Sequence, residues 1–347
     1  MPRKTVKSLT VTQQDIDNFH EEHKALISEF ISYKSAEGKS KETLKVYLNN
    51  LYLFFNYFEK NCKIKGKPKM FYQLKVKDII SFQSLLINLG LSGARIANLR
   101  STISSLCNYC ENILAEDEDF EEYANFRNPV GKVKAPMKEE VREKTVLTDS
   151  QCQDYLDRLV EEKRFQQACA FALAWSSGRR KSELLRIKRS FISDENIKFG
   201  SLYKSPCKIQ TKGKMLEVYV IKTKFKPYFD LWMNERKELG IPDEIDDIFV
   251  KKTKDGWQPA KLSQLNYYAD VFSKDMGIPF YFHALRHNFT TELLKAGLPE
   301  AVVQQIVGWS SLDMVVHYDD REKDELLADY FSEDGIKQKE VKGLSDL

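Results

Sequence analysis

Apolar residues recur at helical spacing along most of the sequence, so helices are the main predicted element. Residues 20–128 contain four such runs, and Ser40 and Ser92 stand at the start of two of them, each shortly after a glycine. A serine in this position accepts a hydrogen bond from a backbone N–H group of the first helical turn. The pattern predicts an all-helical module over residues 20–128, preceded by a polar, flexible arm at 1–19.

The next part of the chain interrupts this pattern. Residues 129–146 open with Pro-Val-Gly and continue through charged positions without an apolar period, which predicts an interdomain linker. The nearly continuous apolar run at 165–176 then fits a helix that is buried on most sides. We therefore predict a second domain over residues 147–332, followed by a tail at 333–347.

The second domain also contains short β-type runs. They lie within residues 192–221, and Thr-Lys-Gly-Lys at 211–214 is the predicted turn. The stretch 282–318 predicts three short helices, with Gly297 and Gly308 at the ends of the first two. The expected fold class is mostly α with a small β-sheet (α+β) for the second domain and all-α for the first.

The net charge of +3 conceals an uneven distribution. Residues 179–226 hold 14 Lys or Arg against 4 Asp or Glu, whereas residues 319–347 hold 5 against 10. This asymmetry predicts a basic groove and an acidic C-terminal appendage. A length of 347 residues and a hydrophobic content of 42% are typical of two packed domains and not of a disordered chain.

Several classes of protein are disfavoured by what the sequence lacks. No apolar stretch approaches the ~20 residues of a membrane span, and no signal peptide follows Met1, so we expect a cytoplasmic protein without a membrane partner. Cys107 and Cys110 form a CxxC pair, but no second pair or histidine completes a zinc site, which favours reduced core thiols. We expect no metal and no other cofactor. His20 and His23 are expected on a solvated helix face.

Four residues of the three-helix stretch could bind and attack a phosphate. His283 and Arg286 are three residues apart, which places both on one helix face. Trp309 offers an indole N–H donor, and Tyr318 offers a phenol. Each aromatic residue also has a structural interpretation, since a single tyrosine or tryptophan is usually a packing residue.

A second group of polar residues follows the most apolar helix of the chain. Arg180 comes two residues after Gly178, at the start of a helix predicted over 180–187, and Glu183 is close enough along that helix to hold its guanidinium. A solvated basic face is the alternative interpretation. The apolar character of the preceding helix favours a guanidinium that projects from a buried helix end.

Five short motifs occur in order along the second domain. They are Gly178-x-Arg180-x-x-Glu183-Leu184, Thr211-Lys212-Gly213-Lys214, His283-x-x-Arg286-His287, Gly308-Trp309-Ser310-Ser311 and Tyr318. In order and spacing they resemble the tyrosine recombinase (phage integrase) family, and the interval from Trp309 to Tyr318 equals the family's usual gap before its nucleophile. The N-terminal module is similar to the family's core-binding domain, a SAM-like helical bundle, so the resemblance covers most of the chain.

The resemblance implies a site-specific recombinase that cuts and rejoins DNA through a 3′-phosphotyrosyl intermediate and integrates or excises a mobile element. The implied catalytic residues are Arg180, Lys212, His283, Arg286, Trp309 and Tyr318 (nucleophile). The implied partners are double-stranded DNA recombination sites and, on paired sites, further copies of the chain in a homotetramer. No ATP or metal is implied, because the energy of the broken bond is kept in the phosphotyrosine.

The family's chemistry assigns a role to each residue type. Arg180 and Arg286 would bind the phosphate, because a planar guanidinium donates two parallel hydrogen bonds and stays charged. Tyr318, with an ordinary pKa of about 10, needs a proton acceptor, for which His283 is the candidate.

Two assignments remain open to alternatives. Lys212 would donate a proton to the leaving 5′ oxygen, and Lys214 is the less favoured candidate for that role. Trp309 stands where histidine is commoner in the family; its N–H can donate to phosphate but cannot shuttle a proton.

Two other functions share parts of this pattern. A type IB-like topoisomerase uses the same residue set, and a catalytically idle DNA-binding regulator could keep the helices alone. Residues 322–332 carry an apolar stripe at helical spacing, which predicts a helix that docks either on its own protomer or on a neighbouring one. The stripe consists of Leu326, Leu327, Tyr330 and Phe331.

Overall fold

The computed structural model describes residues 10–137, 145–211, 214–318, 331–332 and 335–336, with the backbone alone for 316–318 and for the last two pairs. The chain divides into two compact units, Met1–Glu143 and Lys144–Leu347.

The first unit is helical, as the sequence predicts. Its α-helices are Gln13–Asp17 (α1), Glu21–Ala36 (α2), Lys41–Asn61 (α3), Val76–Asn88 (α4) and Gly93–Asn112 (α5). A short antiparallel hairpin pairs Lys63–Ile64 (β1) with Lys67–Pro68 (β2), and 3₁₀ turns cover Phe71–Gln73, Leu114–Glu116, Glu118–Tyr123 and Val130–Lys132. The four predicted helices, α2 to α5, are confirmed. Ser40 and Ser92 cap α3 and α5 by accepting from backbone amides at 3.2 and 3.3 Å.

The core of this unit is rich in phenylalanine. Phe54, Phe55 and Phe58 of α3 are fully buried and pack against Phe71 and Phe82. The rings of Phe54 and Phe82 meet edge to face, with centroids 5.3 Å apart. Burial of such side chains stabilises the fold by about 1.5–3 kcal/mol each.

Part of the predicted flexible arm is helical. In α1, the Thr12 hydroxyl accepts from the Asp15 amide at 3.1 Å while the Asp15 carboxylate accepts from the Thr12 amide at 2.9 Å, a reciprocal cap that stabilises a short helix. Phe19 is buried in the core. Residues 1–9 of the arm lie outside the described residues.

The solvated face predicted for His23 is wrong. Its side chain is buried, and its Nδ1 lies 2.5 Å from Oε1 of Glu59 on α3. Burial lowers the pKa of His23, because desolvation disfavours the charged imidazolium. His20 is exposed, and its ring accepts from the Glu22 amide at the start of α2.

The CxxC cysteines are core residues. Cys107 and Cys110 of α5 are free thiols that are fully buried, and burial raises the pKa of both. This confirms the interpretation as reduced core thiols. Across the described residues, no three His, Cys, Asp or Glu side chains come together as metal ligands.

The second unit is mostly helical with small antiparallel sheets, which confirms the expected fold class. Its α-helices are Asp149–Glu161 (α6), Phe165–Ser177 (α7), Lys181–Leu184 (α8), Lys222–Glu238 (α9), Leu262–Met276 (α10), Phe282–Lys295 (α11), Glu300–Val307 (α12) and Asp313–Tyr318 (α13), and 3₁₀ turns cover Arg189–Phe191 and Asp194–Asn196. Its strands are Ile197–Lys198 (β3), Leu202–Lys204 (β4), Ile209–Thr211 (β5), Lys214–Leu216 (β6), Tyr219–Ile221 (β7), Val250–Thr253 (β8), Gly256–Pro259 (β9), Phe331–Ser332 (β10) and Gly335–Ile336 (β11). Strands β3, β4 and β7 form one sheet in that order, while β5–β6, β8–β9 and β10–β11 are hairpins.

Helix α7 is the centre of this unit. Every residue from 168 to 177 is buried, and the helix packs against α6, α9 and α11. The prediction of a helix buried on most sides is therefore confirmed. Because α7 ends inside the core, packing fixes the backbone position at which the next residues begin.

Some elements differ from the prediction. The helix expected over 180–187 is only α8, with Arg180 as its extended N-cap residue. Helix α10 and the β8–β9 hairpin were not predicted. Phe331 lies in a strand, so the helix predicted over 322–332 does not extend to it. Residues 319–330, which hold the rest of the apolar stripe, lie outside the described residues.

Among the residues that the structure covers, no helix combines the length and the apolar character needed to cross a membrane.

Gly178→Ala is expected to destabilise the second unit much more than Gly277→Ala. Both glycines end helices in the left-handed conformation, with φ of 58° and 66°, so alanine costs about 1–2 kcal/mol at either site. At Gly178 the added Cβ would also overlap Cδ1 of Phe289, which adds about 1–3 kcal/mol of overpacking, whereas nothing lies within 4 Å at Gly277. Urea unfolding followed by tryptophan fluorescence measures this, because the protein's tryptophans all lie in the second unit. Equal losses for the two variants would contradict the close contact.

Candidate active site

Arg180 is held at the N-terminus of α8 by a buried carboxylate. Its Nη1 lies 3.0 Å from Oε1 of Glu183, and its backbone N–H donates to Oε2 of the same residue at 3.2 Å. The Glu183 side chain is 2% exposed, whereas that of Arg180 is 35% exposed. The expectation that Glu183 holds Arg180 is therefore confirmed, and the guanidinium remains accessible to a ligand.

Arg286 of α11 is fully buried and joins two helix ends. Its Nη1 donates to the carbonyl of Gly178 at 2.9 Å, and its Nη2 donates to the carbonyl of Val307 at 3.2 Å. The guanidinium carbon lies 5.1 Å from the centre of the Trp309 ring, within the range of a cation–π interaction. These contacts fix the plane of the guanidinium and bring Arg286, Trp309 and the loop that carries Arg180 together.

Arg179 lies close to Arg180 and Arg286, and we call these three residues the arginine cluster. Arg179 was not among the predicted site residues. It is 1% exposed, and its Nη2 donates to the carbonyls of Ile306 at 2.6 Å and Glu217 at 3.0 Å. Burial lowers the pKa of Arg179 to about 10, so the side chain remains charged at neutral pH. The available signal in the sequence was its place soon after the nearly continuous apolar run at 165–176.

The cluster carries more positive than negative charge. Among the described residues, Glu183 is the carboxylate that pairs with Arg180, whereas Arg179 and Arg286 donate to carbonyl oxygens, which have no formal charge. The carbonyls of Ile306 and Val307 lie at the C-terminal end of α12, which carries partial negative charge. Such a surplus of charge suits a bound anion, and guanidinium groups match the geometry of phosphate.

His283 lies at the start of α11, about one helical turn before Arg286. Its ring is exposed and meets the ring of His287 edge to face, with centroids 5.7 Å apart. His287 is buried. The structure thus places an exposed imidazole one helical turn from a buried arginine, as the spacing predicts.

The helix that ends with Tyr318 packs close to these groups. Trp309 follows the left-handed Gly308 at the end of α12 and is buried in a small apolar cluster with Val303, Val307 and Val315. Val315 belongs to α13, which packs against α11 and α12. The backbone of Tyr318 is therefore part of an element that is docked on the helices of the arginine cluster.

Lys212 lies outside the described residues, but the hairpin that flanks it is described. Strands β5 and β6 pair Thr211 with Lys214, the first and last residues of the predicted turn, and Lys214 is exposed. Two arginines donate to the backbone of this hairpin or of the residue next to it. Arg186 donates to the carbonyl of Gln210, and Arg179 donates to the carbonyl of Glu217 next to β6.

Comparisons with known proteins identify a family. A model described as the phage integrase family matches residues 145–325. The chain is 29% identical over 299 residues to the SPbeta prophage-derived recombinase-like protein YomM of Bacillus subtilis, with 84% of each chain covered. It is 26% identical over 295 residues to the tyrosine recombinase XerA of Pyrococcus horikoshii, covering 84% of this chain and 88% of that protein.

Solved structures share the fold. The XerH site-specific recombinase bound to a palindromic difH substrate has a TM-score of 0.64 at 19% identity, covering 85% of this chain and 81% of that one. The Tn1549 transposon integrase in complex with circular intermediate DNA has a TM-score of 0.61 at 18% identity, covering 88% and 98%.

The family match and the named relatives show that the chain is an enzyme of the tyrosine recombinase class. The chain belongs to the phage integrase family.

Arg180→Lys is expected to slow strand cleavage almost as much as Arg180→Ala. An ammonium group cannot reproduce two parallel hydrogen bonds, and the loss of one preorganised donor costs roughly 10²–10³ in rate. Single-turnover cleavage at saturating protein measures the effect. Arg158→Lys is the control. Arg158 is an exposed residue of α6 that pairs with Glu162. Cleavage by Arg180→Lys within about threefold of wild type would contradict a bidentate role.

Proposed function

We propose that this chain is an integrase that cuts and rejoins double-stranded DNA at specific sites through a 3′-phosphotyrosyl intermediate. The observation that supports this most is the convergence of arginine side chains, with little carboxylate among the described residues to neutralise them, beside the helix that ends in Tyr318. Such a site favours a reaction whose transition state gains negative charge on phosphate oxygens.

The reaction exchanges one phosphodiester bond for another. The Tyr318 oxygen attacks the phosphorus, the bond to the 5′ oxygen breaks, and the phenol proton passes to His283. Lys212 donates a proton to the departing 5′ oxygen, which leaves as a hydroxyl. In the second step the 5′-hydroxyl of a partner strand attacks the phosphotyrosine and releases the phenol, so that no external energy source is consumed.

The arginines stabilise the pentavalent intermediate. Arg180, which is accessible, and Arg286, whose plane is already fixed by two carbonyls, present charged donors to the non-bridging oxygens. Donors that are in place before the charge develops need no reorganisation during the reaction, which is why such groups contribute strongly to catalysis. Trp309 adds an indole N–H beside Arg286.

The relatives support DNA as the substrate and a mobile element as its source. The solved neighbours include XerH with its difH substrate, the Tn1549 integrase with circular intermediate DNA and a lambda integrase dimer with a core site. YomM is described as prophage-derived. Integration or excision of such an element acts on DNA of the cytoplasm, which is the compartment that we propose.

Tyr318→Phe is expected to bind DNA but to form no covalent adduct, because it lacks only the nucleophilic oxygen. Nicked duplexes tiled across the DNA that flanks the gene serve as suicide substrates, and adducts appear as slower bands on a denaturing gel. Tyr267→Phe, which alters an exposed tyrosine of α10, is the control and should form adducts like wild type.

Adduct formation is also expected to be unchanged in EDTA. An equally strong adduct from Tyr318→Phe would contradict the assignment of the nucleophile, and strict Mg²⁺ dependence would indicate a nuclease. Relaxation of supercoiled DNA without strand exchange between two sites would favour the topoisomerase alternative.

We further propose that four copies of the chain assemble on two paired sites, because two exchanged duplexes require four cleaved strands. Light scattering of the covalent complex formed on such DNA should give the mass of four protomers. Complexes that remain at two protomers while strand exchange proceeds would contradict this proposal.

A further inference from the structure

Arg179 is an unusual residue in the core of the second unit. Its side chain is 1% exposed, and its Nε and Nη1 make no hydrogen bond within the described residues. Burying a charged group with unsatisfied donors opposes folding, and apolar side chains of similar size are often tolerated better in such places. The stability of the unit therefore does not explain why an arginine lies here.

The contacts of Arg179 join three separate pieces of the active site. Its backbone lies between Gly178, whose carbonyl accepts from Arg286, and Arg180. Its Nη2 reaches the end of the β5–β6 hairpin through the carbonyl of Glu217, and the end of α12 through the carbonyl of Ile306. The guanidinium of Arg179 thus connects the loop from Gly178 to Arg180 with the hairpin that bears Lys212 and with the helix that precedes Trp309.

Packing reinforces the same junction. The left-handed Gly308 leaves no room for a side chain, because a Cβ there would overlap Cδ1 of Leu216 and lie 3.4 Å from Nη1 of Arg179. The end of β6, the guanidinium and the end of α12 are therefore in direct contact. A change in the size or shape of the Arg179 side chain would be transmitted to the hairpin.

We propose that Arg179 is a positioning residue that fixes the β5–β6 hairpin relative to the phosphate-binding arginines, and thereby sets the alignment of the general acid with the leaving 5′ oxygen. The inference rests on the proposed function. The proposal gives Arg179 no contact with the phosphate, because its Nη2 donates to the hairpin and to α12, and the sulfur substrate tests this assignment, because loss of a phosphate contact would slow both substrates.

The test compares two substrates that differ in their need for an acid. In one, the leaving atom is the ordinary 5′ oxygen; in the other, a 5′ sulfur replaces it. A thiol is a far stronger acid than an alcohol, so the sulfur departs as a thiolate with its bonding electrons when the tyrosine–phosphorus bond forms, and no general acid is needed. The suicide substrate is made in both forms.

Arg179→Met is expected to cleave the oxygen substrate about 10²-fold more slowly than wild type, because a displacement of about 1 Å at a catalytic group has an effect of this size. On the sulfur substrate its rate should return to within about threefold of wild type, as should that of Lys212→Met. Its melting temperature is measured beside the rates, as a check that the variant is folded at the assay temperature. Arg179→Lys, which can donate to one carbonyl, should be intermediate on the oxygen substrate.

Arg236 provides a matched control. It is 2% exposed, burial lowers its pKa to about 10, and it donates to the carbonyls of Ile245, Asp247 and Ile248, away from the arginine cluster. Arg236→Met also removes a buried arginine that bonds carbonyl groups, and it should leave the ratio of oxygen to sulfur rates at the wild-type value.

Two results would overturn the inference while leaving the proposed function intact. One is an Arg179→Met variant that cleaves the oxygen substrate as fast as wild type. The other is an equal loss on both substrates, which would mean that Arg179 acts on the phosphate or only on the fold. If wild type forms no adduct with either substrate, the proposed function fails and this inference fails with it.

Discussion

The C-terminal end of α12 is the constraint on which the rest of the site depends. Its last carbonyls, those of Ile306 and Val307, accept hydrogen bonds from the buried guanidinium groups of Arg179 and Arg286. Carbonyl groups at a helix end lack partners within the helix and carry partial negative charge, so they can hold a buried arginine without a carboxylate. The two guanidinium groups are thus held in place by carbonyl groups, which have no formal charge. In the proposed function, the phosphate of the DNA substrate supplies the negative charge.

This constraint also explains why the active site needs so many elements. Arg180 follows α7, Arg286 lies on α11, Trp309 follows α12, and the hairpin around Lys212 meets the same helix end through Arg179. Phosphodiester exchange is nearly balanced in energy, so the protein's task is to place charged groups accurately and not to supply energy. Arg180 follows the end of α7, and Arg286 bonds the carbonyl of Gly178 at that same end, which suits a transition state whose charge must be met by donors already in position.

The sequence predicted those parts of the fold and site that depend on local patterns. Ser40 and Ser92 marked helix starts, and the spacing of His283 and Arg286 predicted that they share one helix, as they do in α11. Long-range partners could not be predicted in this way. The two carbonyls that bind Arg179 lie 38 and 127 residues away, and His23 is buried because Glu59, 36 residues on, gives it a partner. Strand β8 was missed because three of its four residues are exposed, which removes the alternation that identifies a strand. The catalytic roles, including those of Lys212 and Tyr318, remain predictions.

The central claim is that the arginine cluster acts by meeting the charge of the phosphate. Its most direct test is the cleavage rate of Arg180→Met relative to wild type on a normal site and on a site whose scissile phosphate is replaced by a methylphosphonate, which has no negative charge. If the guanidinium acts through charge, the variant should lose about 10²–10³ in rate on the phosphate and at least tenfold less on the methylphosphonate. An equal loss on both substrates would contradict the account, because it would mean that Arg180 serves the fold of the site and not the charge of its ligand.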